Sequence, residues 1–262
     1  MTDSPAAAAE RLVALQKTLY ASRNPTRRYL HCGRRDWVQG QIVHLARHRA
    51  VATALEVGPG SGVYLQSLAG TAERVIAFDI EPSHLEATKT LFDDRELKAR
   101  IDCVQGDLRN SPLKDGSIDL LLCSEVIEHV ADSRSLLNAM AALLAPGGKL
   151  ILTTPQPYSP LEILGKVAFL PGVVQLLRWI YREPIEPTGH INLLTRAQLE
   201  IQCASAGLRV VERQLLGFYL PVIGEFAGQP GQRLLAAMER VLRGSALEGL
   251  LWTQCYVLEK DV

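Results

Sequence analysis

The turn Gly58-Pro59-Gly60-Ser61-Gly62 constrains this chain more than any other stretch. Ahead of it, Thr53-Ala54-Leu55-Glu56-Val57 is an apolar run of buried-strand length. Behind it, Val63 to Ala69 carries apolar residues at helical spacing. Strand, glycine turn and helix start together make a nucleotide-binding hairpin. Glycine lets the backbone approach a ligand, and the helix start presents free N–H groups. A dinucleotide site asks for G-x-G-x-x-G followed by a downstream acid. Here the spacing is G-x-G-x-G, with Val63 where the third dinucleotide glycine would fall and Glu56 two positions before the first glycine. A tight turn with no ligand is the other reading of the glycines taken alone.

Downstream, apolar runs and helical stretches alternate. Arg74 to Asp79 reads as a second strand ending in an acid. Pro82-Ser83 opens a helix, with Ser83 and Glu86 spaced as a capping box. Asp79 follows the glycine turn at about the distance where a βαβ nucleotide fold places its ribose-binding carboxylate; the alternative is an acid that caps the next helix. Arg100 to Val104 is a third strand, followed by Gln105-Gly106-Asp107-Leu108. Asp115 to Asp119 is turn chemistry leading into the strand Ile118 to Cys123, and Ser124-Glu125-Val126-Ile127-Glu128-His129-Val130 comes next. Ala131-Asp132 starts a helix to Leu144, which Ala145-Pro146-Gly147-Gly148 ends with glycine at a left-handed cap. Lys149 to Thr154 is the fifth strand. Such alternation demands a mostly parallel sheet with helices on both faces and a ligand at the carboxyl ends of the strands.

The pattern E-x-G-x-G-x-G over Glu56 to Gly62 resembles the first motif of class I S-adenosylmethionine (SAM)-dependent methyltransferases. Gln105 to Leu108 resembles that family's adenine-reading turn. Ser124 to Val130 resembles the segment after strand four in its small-molecule, ubiquinone-methylating members. Leu144-Ala-Pro-Gly-Gly-Lys-Leu-Ile-Leu152 is similar to another of its signatures. These matches stand in order across residues 53 to 154. The resemblance implies an α/β fold, a Rossmann-like doubly wound sheet of about seven mostly parallel strands with an antiparallel last strand. It implies SAM as cofactor, with Glu56, Gly58, Pro59, Gly60 and Gly62 at its methionine end. Asp79 and Ile80 would meet the ribose, Asp107 and Leu108 the adenine, and Ser124 and Glu125 would stand close by. Residues 1–50 would form a helical cap, and residues 51–262 the SAM-binding domain with a helical lid at 157–192.

Outside those motifs the pattern is less specific. Residues 1–9 read as a tail. Glu10 to Tyr20 carries Leu12, Leu15 and Leu19 at helical spacing, Asn24-Pro25 to Arg28 interrupts it, and Trp37 to Arg47 is helical again. Arg27, Arg28, Arg34 and Arg35 there make either a solvated basic face or a guanidinium that meets a carboxylate. Pro157 to Pro160 breaks the chain. Leu161 to Leu170 and Val173 to Tyr181 are then two short apolar helical stretches about Pro171-Gly172. Three readings stand for them: a lid packed on the core, a lid lining an apolar substrate pocket, or a surface at 161–182 resting on a membrane. Thr195 and Gln198 are spaced as a capping box for a helix to Ala206-Gly207. Leu208 to Leu216 is a sixth strand, Arg233 to Leu242 an amphipathic helix, and Leu250 to Leu258 a closing strand.

Balanced charge, with 28 Lys+Arg against 28 Asp+Glu, provides no basic field for nucleic acid. Five scattered cysteines without a C-x-x-C pair read as reduced thiols. With no signal-peptide plan and no apolar run of spanning length, the expectation is a cytoplasmic protein. Two histidines are candidate bases for a hydroxyl acceptor, His129 just past strand four and His190 facing the same opening. The alternatives are that His129 packs over the cofactor or fixes its loop, and that Glu125 and Glu128 order that turn or touch the acceptor. No metal site is expected, since the two histidines lack H-x3-H spacing and no acid pair brackets them. The function these readings favour is methyl transfer from SAM to a small, apolar or lipid-like molecule at oxygen, carbon or nitrogen. A non-catalytic SAM-binding partner is the rival; a nicotinamide dehydrogenase is opposed by the glycine spacing and the Asp107 turn.

Overall fold

A computed structural model describes residues 19–90, 95–168 and 189–261, together with residues 10 and 14. The tail expected at residues 1–9, most of the leading helix, the second apolar stretch at 173–181 and the greater part of the lid expected at 157–192 lie outside the described residues. Helix α1 (Pro25–His48) absorbs the segment that the sequence suggested as a break. Proline fits the first helical position because its missing N–H has no partner there anyway. Asn24 caps the end, its Oδ1 accepting from the Thr26 and Arg27 N–H groups at 2.9 and 3.1 Å.

From there the chain follows β1 (Val51–Val57), α2 (Leu65–Ala69), β2 (Ala72–Asp79), α3 (Pro82–Thr90), α4 (Arg95–Ala99), β3 (Ile101–Gln105) and β4 (Ile118–Ser124). It continues through α5 (Ser133–Leu143), β5 (Leu144–Pro155), α6 (Pro160–Ala168), α7 (Arg196–Ser205), β6 (Leu208–Leu216), α8 (Pro221–Phe226), α9 (Gly228–Leu242) and β7 (Thr253–Lys260). The strands form one seven-stranded sheet in the order β3-β2-β1-β4-β5-β7-β6. Strands β1 to β5 pair in parallel, and β7 is antiparallel to both β5 and β6.

Alternation along the central strands sorts the core into two layers. Leu55, Val57, Ile76, Phe78, Leu121 and Leu152 pack against Leu137 and Met140 of α5 and Leu199 of α7. Ala54, Val75, Ala77, Leu120, Leu122 and Ile151 pack on the other side against Val38 and Ile42 of α1 and Leu65 and Leu68 of α2. Both faces of the central strands are buried, which is why they read as continuous apolar runs.

Two local expectations differ from the structure. Helix α3 starts at Pro82, so Ser83 sits inside its first turn and cannot cap it; Asp79 Oδ1 takes the Glu81 N–H at 2.9 Å instead. Helix α5 ends with Leu144 in extended geometry, and the left-handed glycine is Gly147 (φ 69°), further along in a bulged stretch of β5. The Thr195–Gln198 capping box forms in full.

Candidate functional site

The carboxyl ends of β1, β2 and β4 converge on the glycine turn. Gly58, Gly60 and Gly62 all hold left-handed backbone, at φ 65°, 49° and 67°, which side chains rarely adopt. Gly58 N–H donates to the Phe78 carbonyl at 2.8 Å, tying the turn to β2. A Cβ on Gly58 would stand 2.6 Å from Val126 Cγ2, so the turn after β4 presses directly on the glycine loop.

Beside this loop lies a cavity of about 130 Å³ lined by Val57, Gly58, Phe78, Asp79, Ile80, Gly106, Asp107, Leu108, Arg109, Val126, Val130 and Leu136. The structure therefore brings Asp79, Ile80, Asp107 and Leu108 to one place. Its floor is apolar and its polar groups are two aspartates and an arginine. Ile80 is 62% exposed, free to lie against a flat ligand. Asp79 is buried and held at both oxygens, by the Glu81 N–H and by His84 Nδ1 at 2.7 Å. Each carboxylate oxygen carries two lone pairs, so both keep room for a further donor. The bond to Asp79, outweighing the opposing effect of burial, raises the His84 pKa above its ordinary value. Asp107 folds onto its neighbour: Arg109 reaches both of its oxygens, with contacts from 2.5 to 3.0 Å. That clasp, together with the Arg109 N–H, lowers the Asp107 pKa.

Glu56 lies behind the turn, on the same strand face as Ala54 by alternation. It is 2% exposed, and its Oε2 has no hydrogen-bond partner among the described residues. Burial first, and then the Asp79 charge, push its pKa well above the usual carboxylate range. Pro59 accepts the Gly62 N–H at 2.7 Å and closes the loop.

The second half of the site follows β4. Glu125 is the one non-glycine residue among those described with positive φ, 57°. Three contacts hold it there. Its N–H donates to the Thr153 carbonyl at 2.9 Å, Thr153 Oγ1 donates to its Oε1 at 3.1 Å, and Arg34 Nη1 pairs with its Oε2 at 2.6 Å. Ser124 shares Thr153 Oγ1 at 2.9 Å. Of the N-terminal arginines, Arg34 is the buried one, and its guanidinium lies 5.5 Å from the Trp252 ring centre. The carboxylate it meets is therefore the protein's own.

Glu128, His129 and His190 come together beside this turn. Their ligand-capable atoms lie within 4.8 Å of one another. Glu128 is fully buried; Thr154 Oγ1 donates to its Oε2 at 3.0 Å, and Oε1 has no hydrogen-bond partner among the described residues. Burial, then the Glu125 charge, raise its pKa well above normal. His129 Nδ1 bonds the Gly189 carbonyl at 3.1 Å, and the rings of His129 and His190 stand 5.3 Å apart. His190 Nδ1 is 3.1 Å from Glu162 Oε2, and Trp252 Nε1 donates to Glu162 Oε1 at 3.1 Å. Sequence reasoning missed Arg34's specific partner, His84 and Glu162. Only Glu162 left a signal, an acid within the apolar stretch Leu161 to Leu164.

A parallel sheet closed by an antiparallel β7 between β5 and β6, with a glycine turn after β1 and acids after β2 and β3, defines a class: the Rossmann-like methyltransferase fold. A family profile described as "Methyltransferase domain" matches residues 55–152. Among curated relatives, the ubiquinone biosynthesis O-methyltransferase of Xanthomonas euvesicatoria pv. vesicatoria (strain 85-10) is 35% identical over 107 residues, covering 40% of this chain and 44% of that one. That of Xanthomonas oryzae pv. oryzae (strain PXO99A) is 30% identical over 169 residues, covering 61% and 67%. Among solved structures, the N-methyltransferase NodS from Bradyrhizobium japonicum WM9 in complex with S-adenosyl-L-homocysteine superposes with a TM-score of 0.57 at 17% identity, covering 99% of this chain and 100% of that one. The chain belongs to the SAM-dependent methyltransferase family, whose cofactor is SAM. The residues around the cavity fit that group: a left-handed glycine turn, an apolar floor, and acids at two edges.

Proposed function

We propose that this chain transfers the methyl group of SAM to a hydroxyl oxygen of a small, apolar acceptor. The name of the relatives, O-methyltransferases of ubiquinone biosynthesis, supports the choice of oxygen. The observation that carries the reading is His129. Its Nδ1 is spent on the Gly189 carbonyl, which can only accept, so Nε2 is left as the basic nitrogen beside the turn that packs on the glycine loop.

Bound SAM supplies an electrophilic methyl and its own leaving group, so the protein mainly has to position, desolvate and deprotonate. The turn of Gly58, Pro59, Gly60 and Gly62 brings backbone to close approach because its glycines carry no Cβ, and Glu56 backs it. Asp79, pinned by His84 and the Glu81 N–H, takes ribose hydroxyls, with Ile80 against the sugar. Asp107 and the Leu108 N–H read the adenine edge, and Val126, Val130 and Leu136 exclude water from its faces. Ser124 and Glu125 border the methionine end, with Arg34 fixing Glu125. His129 removes the acceptor's proton, and His190, buttressed by Glu162, stands beside it. Helix α1 and the described residues 157–168 and 189–192 frame the acceptor side, where exposed Tyr158, Ile163 and Leu164 suit an apolar guest or contact with a lipid surface. Five free cysteines accord with a cytoplasmic location. Among the described residues no helix is long and apolar enough to cross a membrane.

The test is transfer of label from methyl-labelled SAM to matched phenol, catechol, aniline and carbon-acid acceptors with apolar tails. Product on oxygen, with His129→Ala slowing turnover about 100-fold or more while SAM affinity holds, is the expected result. Label appearing on nitrogen or carbon alone refutes the oxygen assignment. SAM binding without transfer to any acceptor in a metabolite extract favours the non-catalytic rival.

A further inference from the structure

We propose that Arg109 gates the adenine end of the cavity: its guanidinium competes with the adenine amine for Asp107, and Asp132 receives it when the amine wins. Both Asp107 and Arg109 line the cavity, on either side of Leu108. The gate rests on the reading of Asp107 as the acid that meets adenine, and adds a rival for that acid.

Three observations point to a gate. The first is a count of acceptor positions. A carboxylate offers about four, two on each oxygen. Arg109 reaches all of them. Its backbone N–H and Nε stand 3.0 and 2.9 Å from Asp107 Oδ1, and its Nε and Nη2 stand 3.0 and 2.5 Å from Oδ2. Asp79, the other acid at the cavity, has one donor on each oxygen and keeps room. An adenine amine therefore bonds Asp107 only where the clasp has opened. The second observation is which part of the clasp can leave. The Arg109 N–H caps the helical turn Leu108–Asn110 and stays with the backbone. The guanidinium ends a side chain that is 40% exposed, so rotation about its own bonds carries it toward solvent. The third is a second acid. Helix α5 packs against the turn Leu108–Asn110, which brings Asp132, the N-cap of α5, toward Arg109. The bond to Asp107 first, and the Asp132 charge after it, raise the Arg109 pKa above its ordinary value. The Ser135 N–H takes one acceptor position on Asp132, at 3.0 Å, which leaves room for a guanidinium.

Such a gate selects as well as blocks. A ligand shifts a two-state contact only by its differential affinity for the two states. Adenine favours the open state because its amine takes the place of Arg109 on Asp107. A purine without that amine has nothing to offer Asp107 and leaves the clasp shut. Arg109 thereby sharpens the choice of adenine. It also helps the spent nucleoside to leave, since the clasp recloses as the amine departs.

The experiment is calorimetric titration of the whole protein with S-adenosylhomocysteine, which carries no net charge. Arg109→Ala should bind about 2- to 5-fold more tightly than the parent, the range for releasing one exposed ion pair. Arg109→Lys keeps the charge but loses the planar fork, so it should show most of the same gain. Adenosine should share the gain, and purine riboside, which lacks the 6-amino group, should not. Asp132→Asn should weaken binding by about 2-fold. By NMR, the Arg109 Nε–H signal should move on adding S-adenosylhomocysteine, and should move less in Asp132→Asn. Circular dichroism establishes that each variant is folded. A gain confined to Arg109→Ala, or one that purine riboside shares, reduces the effect to charge and overturns the gate. Unchanged or weaker binding by Arg109→Ala, where Asp107→Ala has lost affinity, also overturns the gate and leaves the adenine reading standing. Parental affinity in Asp107→Ala removes the adenine reading itself, and the gate with it.

Discussion

Gly58→Ala isolates what the glycine turn requires. Two independent costs meet at this position. A side chain in left-handed backbone at φ 65° costs roughly 1–2 kcal/mol. A methyl placed 2.6 Å from Val126 Cγ2 must also push aside a β-branched side chain with few rotamers, adding on the order of 1–3 kcal/mol. The expected loss in urea unfolding is therefore about 2–5 kcal/mol. Val126→Ala removes the obstructing methyl, so Gly58→Ala in that background should cost only the backbone part, about 1–2 kcal/mol. The double-mutant cycle should return a favourable coupling of about 1–3 kcal/mol. SAM affinity, measured by calorimetry, should stay depressed in the double variant because the loop is still displaced. Additive costs would show that the Val126 contact is absent. A Gly58→Ala loss below about 0.5 kcal/mol would show that the backbone is not left-handed there.

Three further outcomes follow from the same geometry. Asp79→Asn should weaken SAM binding by about 1–3 kcal/mol and move the His84 pKa back down toward its ordinary value; an NMR titration showing an unmoved His84 would break the pair. Arg34→Met should leave Glu125 as a half-dry charge and destabilise by about 3–5 kcal/mol, with most of it restored by adding Glu125→Gln; equal losses in single and double variants in chemical denaturation would refute the pairing. Burial, then the Arg34 and Arg27 charges, push His31 down to about 3. Its folded pKa lies below its unfolded one, so its contribution is full above about pH 6.5 and drains as pH falls toward 3, by about 1.4 kcal/mol per unit. His31→Phe should flatten that slope, and parallel stability curves for both proteins would dismiss it.

How far the sequence could be read depends on whether a constraint is local. The glycine turn, Asp79 and Asp107 were visible because each serves a backbone need or strand end within a few residues of itself. The five parallel strands were visible because both their faces are buried, leaving continuous apolar runs. What stayed hidden, His84 beside Asp79 apart, is made by contacts between distant residues. Arg34 finds Glu125 across 91 positions, Trp252 finds Glu162 across 90, and His129 finds Gly189 across 60. Neither propensity nor spacing encodes those meetings. Asn24-Pro25 shows the same limit at short range, since a break and a capped helix start look alike until the first turn is seen.

The turn after β4 is where these distant contacts accumulate, and the reason is energetic. Glu125 sits in left-handed backbone, and Arg34 is buried with Nε lacking a hydrogen-bond partner among the described residues. Next to them, Glu128 is fully enclosed. Each is costly alone: a strained non-glycine residue by about 1–3 kcal/mol, and an enclosed charge by several unless paired. Apolar packing of the same volume would stabilise the fold at least as well. Two acids and a histidine in this turn, with Arg34 of α1 packed onto it, are held at the rim of the cavity at a cost to stability that the proposed chemistry would explain. Ile127, which packs in the core and does not line the cavity, should tolerate volume-conserving apolar substitution with both SAM affinity and turnover retained. Glu128→Leu should raise or keep thermal stability while turnover is lost. A Glu128→Leu protein that is fully active would show that the enclosed acid serves only the fold.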